Sequence, residues 1–136
     1  MDRKKAKLEY KLSIRPMGVY QVRNTVNDKV WINSSLNLPG SFNGDRVKLN
    51  GGPHHKSPAL MKAWKEFGED NFVWEVLEEL PPRSEPNYDY KADLEFLEDL
   101  WLEKLQPYGD AGYNEPKKTR EERLRMIAQN NRKIAD

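Results

Sequence analysis

Glu98 stands on the apolar face of the longest helical pattern inside the chain. The pattern predicts a helix over residues 89–105, which Pro107 and Gly109 end. At about 100° per residue, the remainder of the face is apolar and consists of Tyr90, Leu94, Leu97, Trp101, Leu102 and Leu105. An unpaired carboxylate is unfavourable there, so Glu98 needs a cationic partner, a hydrogen-bond network or a metal ion. It is therefore either half of a salt bridge at the edge of the core or a metal-binding or catalytic glutamate.

Histidines and large aromatic residues, which often carry chemistry, give weaker patterns. His54 and His55 are adjacent on a Gly-Pro loop, so their rings point in different directions, and they are the only histidines in the chain. We interpret both as loop residues, with phosphate contact rather than metal binding as their candidate role. Trp64, Phe72 and Trp74 are predicted to lie in the core and not to stack on bases.

Composition excludes several classes of protein. At 136 residues the chain has the length of one domain. The absence of cysteine excludes disulfides, thiolate zinc sites and thiol catalysis. No apolar run approaches the roughly 20 residues of a membrane span, and the N-terminus lacks the apolar core of a signal peptide. We therefore expect a cytoplasmic protein without a membrane partner.

The formal net charge of +1 hides an uneven distribution. Residues 1–16 and 117–136 each carry +4, whereas residues 17–116 carry −7. The acids are concentrated in residues 66–103, which hold 13 of them against two basic residues. That segment would repel a polyanion, so any nucleic acid is expected to approach from residues 36–65 or from the termini.

Alternation of apolar and polar residues predicts three strands. Residues 17–23 and 29–35 form a candidate β-hairpin, and residues 71–78 form a third strand. A helix between the second and third strands begins after its N-cap, Ser57, and ends at Gly68. With the helix at 89–105, these elements predict an α+β domain with a small antiparallel or mixed sheet.

The remaining segments are predicted as terminal helices and one irregular stretch. A short amphipathic helix over residues 2–13 lies in an N-terminal basic segment, 1–16, and a final helix over about 119–134 lies in a C-terminal basic segment, 115–136. Residues 36–53 contain several prolines and glycines, so we expect an irregular segment with a short helix around 43–49.

Four segments in order resemble the GIY-YIG nuclease family. They are the hairpin with Gly18-Val19-Tyr20 and Trp31-Ile32-Asn33, a segment at 60–72 similar to one common in bacterial members, Glu98-Asp99-Leu100-Trp101-Leu102, and the closing segment 107–114. The resemblance covers residues 17–114. It implies a three-stranded antiparallel sheet flanked by helices, here with an extra N-terminal and an extra C-terminal helix.

The resemblance also implies phosphodiester hydrolysis of DNA. Such a reaction needs an activated water, a divalent metal and a cation on the developing phosphorane charge. Tyr20 matches the tyrosine proposed to activate water, Glu98 matches the ligand of Mg²⁺ or Mn²⁺, and Asn114 matches a late asparagine. Tyr20 also fits an ordinary cross-strand aromatic position.

Several family positions carry other residues. The second tyrosine is Trp31, which has no hydroxyl, and the glycine two residues later is Asn33. Ser41 occupies the position of the arginine that steadies the phosphate, and Asp45 occupies a frequent histidine position. Loss of such a cation commonly lowers the rate on the order of 10²–10³-fold, so we expect weakened or lost cleavage.

Two functions from different classes remain. The first is a metal-dependent endonuclease, and the second is a non-catalytic module that binds nucleic acid or a protein. The candidate nucleic-acid contacts are Arg46, Lys48, His55, Lys117, Lys118, Arg120 and Arg123. The C-terminal helix could alternatively dock, or make a homo-oligomer contact, through a thin apolar stripe of Leu124, Ile127 and Ile134. Arg23, Arg46 and Lys48 are the candidates to replace the missing arginine, although a helix at 43–49 would turn Arg46 away from Ser41.

Overall fold

The computed structural model describes residues 15–52, 54–117 and 120–135. The described elements are β1 (Gly18–Asn24), β2 (Val30–Ser35), α1 (Leu38–Leu49), α2 (Pro58–Phe67), β3 (Phe72–Glu79), α3 (Lys91–Leu105) and α4 (Arg120–Ala135), with short 3₁₀ turns at Glu69–Asn71 and Gly109–Ala111. The helix predicted over residues 2–13 lies outside the described residues. Within the described ranges, no helix is long and apolar enough to cross a membrane.

The three strands form one antiparallel sheet in the order β2-β1-β3. The predicted hairpin is β1 and β2, in which Tyr20 faces Asn33 and Val22 faces Trp31. On the other side of β1, Val22 faces Trp74. The α+β class with a small three-stranded antiparallel sheet is confirmed.

Each face of the sheet covers a separate core. Tyr20, Val22 and Trp31 pack against residues of α1 and α2, whereas Val19 and Ile32 pack against α3. Successive residues of a strand point to opposite faces, so neighbouring positions of β1 and β2 belong to different cores. The residues in the first core also include Phe72 and Trp64, with Trp74 packed against it, which confirms the prediction that these aromatics are core residues.

Helix α1 corrects the sequence prediction, because it begins at Leu38 and not near residue 43. The Asn37 side chain accepts a hydrogen bond from the Gly40 N–H and caps the helix. Pro39 lies in the first turn, where its missing N–H removes no intrahelical bond. The proline and glycine that suggested an irregular segment are therefore part of a helix start.

The closing segment binds the free edge of β2. The Tyr113 N–H donates to the carbonyl of Val30 at 2.9 Å. The Asn114 side chain makes two bonds to Ile32, accepting from its N–H at 2.8 Å and donating to its carbonyl at 2.9 Å. These bonds satisfy backbone groups that an edge strand would otherwise expose.

Helix α4 forms close to the predicted bounds, but its apolar stripe is not docked. Leu124 and Ile127 are each 56% exposed. Docking of the helix through these two side chains is therefore contradicted, and the side chain of Ile134 lies outside the description. Leu105, predicted on the apolar face of α3, is also exposed.

Gly18 provides a test of the sheet geometry. A Cβ at this position would overlap the carbonyl oxygen of Glu78 in β3, so Gly18→Ala should lower the free energy of unfolding by about 2–3 kcal/mol. Gly44→Ala is the matched control, because a Cβ there meets nothing within 4 Å and alanine favours a helix by up to about 1 kcal/mol. Urea denaturation gives the free energy of unfolding of both variants. A Gly18→Ala variant as stable as the wild type would contradict the close approach of β1 and β3.

Candidate active site

The Tyr20 hydroxyl is fixed between two polar side chains. Tyr20 lies in the central strand with no solvent exposure. Its hydroxyl donates to Oδ2 of Asp45 at 2.6 Å and accepts a bond from Nδ2 of Asn33 at 3.3 Å. Asn33 faces Tyr20 across the hairpin, and Asp45 reaches the hydroxyl from the buried face of α1. The hydroxyl therefore has a set orientation.

Asp45 is a buried carboxylate that accepts from three elements of the fold. Besides Tyr20, Nε2 of His55 lies 3.0 Å from Oδ1, and Nε1 of Trp74 donates to Oδ2 at 3.4 Å. The backbone N–H of Ser57 donates to Nδ1 of His55 at 3.0 Å, so Nδ1 holds no proton and Nε2–H is the donor to Asp45. Three donors compensate the removal of the carboxylate from water.

This environment keeps Tyr20 protonated. Burial raises the pKa of Tyr20, and the charge of Asp45 and its hydrogen bond with Tyr20 raise the pKa further. Tyr20 could therefore accept a proton from water only if its own proton moved to Asp45. The ring is also packed edge-on against Trp31 and Phe42, with centroids 6.1 and 5.1 Å away, so Tyr20 combines a core position with a polar network.

Glu98 has the cationic partner that its place on α3 requires. Its side chain is 13% exposed. Oε1 accepts from the backbone N–H of Ser34 at 3.0 Å, with the Ser34 hydroxyl at 3.4 Å. Oε2 pairs with the ammonium of Lys117 at 2.9 Å, and Lys117 also pairs with Asp99 at 2.6 Å. The salt-bridge interpretation of Glu98 thus accounts for its burial.

A divalent metal also fits this carboxylate. No group of three or more histidine, cysteine or acidic side chains that could hold a metal occurs in the described part of the chain. Mg²⁺ nevertheless binds many proteins through one or two carboxylates, with waters and substrate phosphates completing its shell. Glu98 at the wall of an open cleft matches that kind of site, with Lys117 as the cation that an ion would displace.

Two clefts meet at β2 and connect Tyr20 with Glu98. The smaller, of about 580 Å³, is lined by Tyr20, Ser41, Asp45, Lys48 and His55 among others. The larger, of about 730 Å³, is lined by Trp31, Glu98, Asn114 and Lys117 among others. Asn33, Ser34 and Lys56 line both. Since Asn33 bonds Tyr20 and the next residue, Ser34, bonds Glu98, one dipeptide of β2 orients both groups.

Three residues at family positions make contacts that stabilise the fold. The ring of Trp31 stands edge-on to His55, with centroids 4.5 Å apart. The Ser41 hydroxyl shares a hydrogen bond with that of Ser35, which joins α1 to the end of β2. Both amide atoms of Asn114 bind the backbone of Ile32. Ser41 therefore supplies no positive charge to the cleft.

The three candidates to replace the missing arginine have different contacts. Arg23 pairs with Glu75 and Asp28 at 2.7 and 3.0 Å. Arg46 lies over the ring of Trp74, 4.6 Å from its centroid, and at about 100° per residue its position is turned roughly 140° around α1 from Ser41. Lys48 lines the smaller cleft. Lys118 and the side chains of Arg120 and Arg123 lie outside the described part of the chain.

Sequence reasoning missed Lys56 and the combined role of two other residues. The Lys56 ammonium donates to Oδ1 of Asn33 at 2.8 Å at the junction of the clefts. Its only sequence signal is its place between His55, a family position, and the N-cap Ser57. Asn33 and Asp45 were recognised as departures from the family, but nothing in their spacing predicts that both bind Tyr20.

Tyr20→Phe tests the buried network. At pH 7 the free energy of unfolding of the variant should be about 2 kcal/mol lower than that of the wild type, because Asp45 loses one donor. An unfolded tyrosine ionises near pH 10, whereas the folded Tyr20 stays protonated, so wild-type stability falls above about pH 10. The deficit of Tyr20→Phe should therefore be constant from pH 7 to about 9 and shrink above about pH 10.

Urea unfolding across this pH range makes the measurement. Tyr108→Phe is the control at pH 7, because Tyr108 is half-buried and has no bond to Asp45. A deficit that grows with pH would contradict a neutral Tyr20 bonded to a carboxylate.

Comparison with known proteins identifies the fold. No family profile and no curated protein sequence matches the chain. Matching solved structures include the catalytic domain of the homing endonuclease I-TevI, with a TM-score of 0.61 and 26% identity over 74% of this chain and 99% of that one. A glutamate-to-alanine mutant of the catalytic domain of the intron endonuclease I-TevI gives a TM-score of 0.62 and 27% identity over 76% and 97%. I-TevI is a GIY-YIG homing endonuclease, and the present chain has the GIY-YIG nuclease fold that its sequence resemblance predicts.

Proposed function

We propose that the chain is a divalent-metal-dependent DNA endonuclease domain whose cleavage is weak. The observation that carries the proposal is the placement of Tyr20 and Glu98 on adjoining clefts, each bound by one residue of the dipeptide Asn33-Ser34. The similarity to a homing-endonuclease catalytic domain over nearly its whole length supports the same class of reaction. Weakness follows from Ser41, which offers a hydroxyl in place of a guanidinium.

Glu98 would hold Mg²⁺ or Mn²⁺, which would polarise the phosphoryl group and stabilise charge on the leaving oxygen. Ser34 fixes the carboxylate of Glu98 through its N–H, and Glu98 lines the larger cleft. Trp31 supplies an apolar wall to the same cleft. The closing segment keeps this wall in place, because Asn114 holds the backbone of Ile32.

Tyr20 and Asp45 would handle the proton of the attacking water. Hydrolysis joins the water oxygen to phosphorus, breaks one P–O ester bond and gives the leaving oxygen a proton from solvent. Because Tyr20 has no exposed surface, the smaller cleft would first have to admit the water; the water's proton would then pass to the Tyr20 hydroxyl while the hydroxyl's own proton passes to Asp45, 2.6 Å away. Transfer onto a buried carboxylate with three donors is unfavourable, which also favours slow turnover.

A second candidate function is a non-catalytic nucleic-acid-binding module derived from this fold. The ion pair between Glu98 and Lys117 favours it, since the metal-binding carboxylate already has a cation. The two candidates differ in one observable, because only the nuclease cuts DNA. Protein partners and oligomers through the exposed stripe of α4 belong to the same alternative.

Glu98→Gln tests cleavage. Glutamine can still accept the Ser34 N–H but lacks the charge that binds a metal. Purified wild-type protein should nick supercoiled plasmid slowly with Mg²⁺ or Mn²⁺, and the variant should lose at least about 10²-fold in rate. Glu103→Gln, an exposed acid on the same helix outside both clefts, should cut like the wild type.

The absence of nicking by folded wild-type protein with either metal would exclude the nuclease. Nicking that survives Glu98→Gln would exclude the proposed metal site. DNA binding without cleavage would leave the binding module as the function.

Lys117→Gln tests the competition at Glu98. Removal of the ammonium should raise the affinity for Mn²⁺ about two- to fivefold, since a half-exposed ion pair contributes up to about 1 kcal/mol. Titration calorimetry without DNA makes this measurement independent of activity. Lys65→Gln, which removes an exposed charge on α2, is the control. An affinity that falls in Lys117→Gln would show that Lys117 does not oppose the metal.

A further inference from the structure

We propose that Lys56, oriented by Asn33, forms a phosphate-binding subsite at the junction of the two clefts. Its ligand would be a phosphodiester of a nucleic-acid backbone. The choice of ligand rests on the proposed function, because a nuclease-type cleft must hold a scissile phosphodiester. The subsite would take over, from a different element of the fold, the charge that Ser41 lacks.

Lys56 carries an uncompensated charge. Its ammonium contacts the neutral amide oxygen of Asn33 at 2.8 Å and lies 5.6 Å from the centroid of the Trp31 ring. Among the residues that the structure describes, no carboxylate lies within ion-pair distance of it. The side chain is exposed and lines both clefts. A phosphate that enters either cleft therefore meets a cation that forms no competing salt bridge.

Three other cations around the sheet are either paired with carboxylates or placed outside both clefts. Lys117 is paired with Glu98 and Asp99, Arg23 with Glu75 and Asp28, and the guanidinium of Arg46 lies on Trp74. Lys48, exposed on α1, lines the smaller cleft together with Lys56. The pair lines this cleft with positive charge, while Asp45, the one carboxylate among the described residues that line it, is buried behind three donors.

Asn33 connects the cation to the site. Its amide oxygen accepts from Lys56 and its amide nitrogen donates to the Tyr20 hydroxyl. A phosphate oxygen that binds Lys56 would therefore lie one side chain away from Tyr20, near the position where a water would attack. Glycine, the family residue at this position, could not make either bond. Asn33 is thus a positioning residue for Lys56.

Binding of a short labelled DNA duplex in EDTA tests the subsite without any cleavage. Lys56→Gln should weaken binding about tenfold at low salt and lower the slope of log affinity against log salt by about 0.9, the value for one phosphate contact. Lys56→Arg should keep affinity and slope. Lys62→Gln is the matched control, since it removes an exposed lysine outside both clefts, and it should stay within about twofold of the wild type.

Asn33→Gly tests the positioning role separately. It retains the charge of Lys56, so the salt slope should be unchanged while the affinity falls about two- to threefold. In wild-type protein, added dimethyl phosphate should shift the NMR signals of the Asn33 side-chain amide, and this shift should be absent in Lys56→Gln.

Two results would overturn the subsite. One is a Lys56→Gln variant that binds like Lys62→Gln with an unchanged slope, and the other is a wild-type protein that binds no duplex at low salt. Because the assay contains no metal, plasmid nicking together with normal binding by Lys56→Gln would reject the subsite and keep the nuclease. Loss of binding in Lys56→Gln without any nicking would reject the nuclease and keep the subsite.

Discussion

The structure depends on the solvation of one buried charge, the carboxylate of Asp45. Its three donors come from β1, β3 and the loop before α2, so α1 must lie where all three can reach. Among the described residues, every buried side-chain nitrogen and oxygen has a hydrogen-bond partner. Loss of any one donor would leave the charge less compensated, at a cost of about 1–3 kcal/mol. The same bonds that place α1 also fix the proton of Tyr20.

This dependence changes the meaning of the departures from the family pattern. Asn33 and Asp45 lie far apart in sequence, yet both bind the hydroxyl of Tyr20. Ser41 lies on the same helix as Asp45, lines the smaller cleft and shares a hydrogen bond with Ser35. If the site had only decayed, unrelated side chains would fill it. Instead, two of the replaced positions, Asn33 and Asp45, share one network through Tyr20 that ends at Lys56, which favours rearrangement over simple loss as the basis of the proposed function.

Much of the fold could be predicted from the sequence, but the contacts of loop side chains could not. Alternation identified β1, β2 and β3, and the Ser57 cap fixed the start of α2, because these signals are local. The predicted start of α1 was wrong. Pro39 and Gly40 usually interrupt a helix, but both fit in the first turn of a helix that Asn37 caps. The helical periodicity predicted that Glu98 needs a partner. It could not identify that partner as Lys117, because Lys117 lies in the segment after α3. Lys56 lies in a loop, where spacing predicts no direction.

Charge limits how a polyanion could lie on this surface under the proposed function. Helix α3 and β3 carry eight of the 22 acids, whereas Lys48 and Lys56 line the smaller cleft. A backbone would therefore approach over Lys48 and Lys56 and reach Glu98 last. There its charge would meet the carboxylates of Glu98 and Asp99, which Lys117 neutralises in part. Under the proposed function, Lys117 would thus oppose a metal at Glu98 and, in the absence of that metal, would reduce the repulsion of a phosphate. Displacement of this lysine by a divalent ion would keep the local charge favourable, so metal and phosphate would bind together more readily than either binds alone.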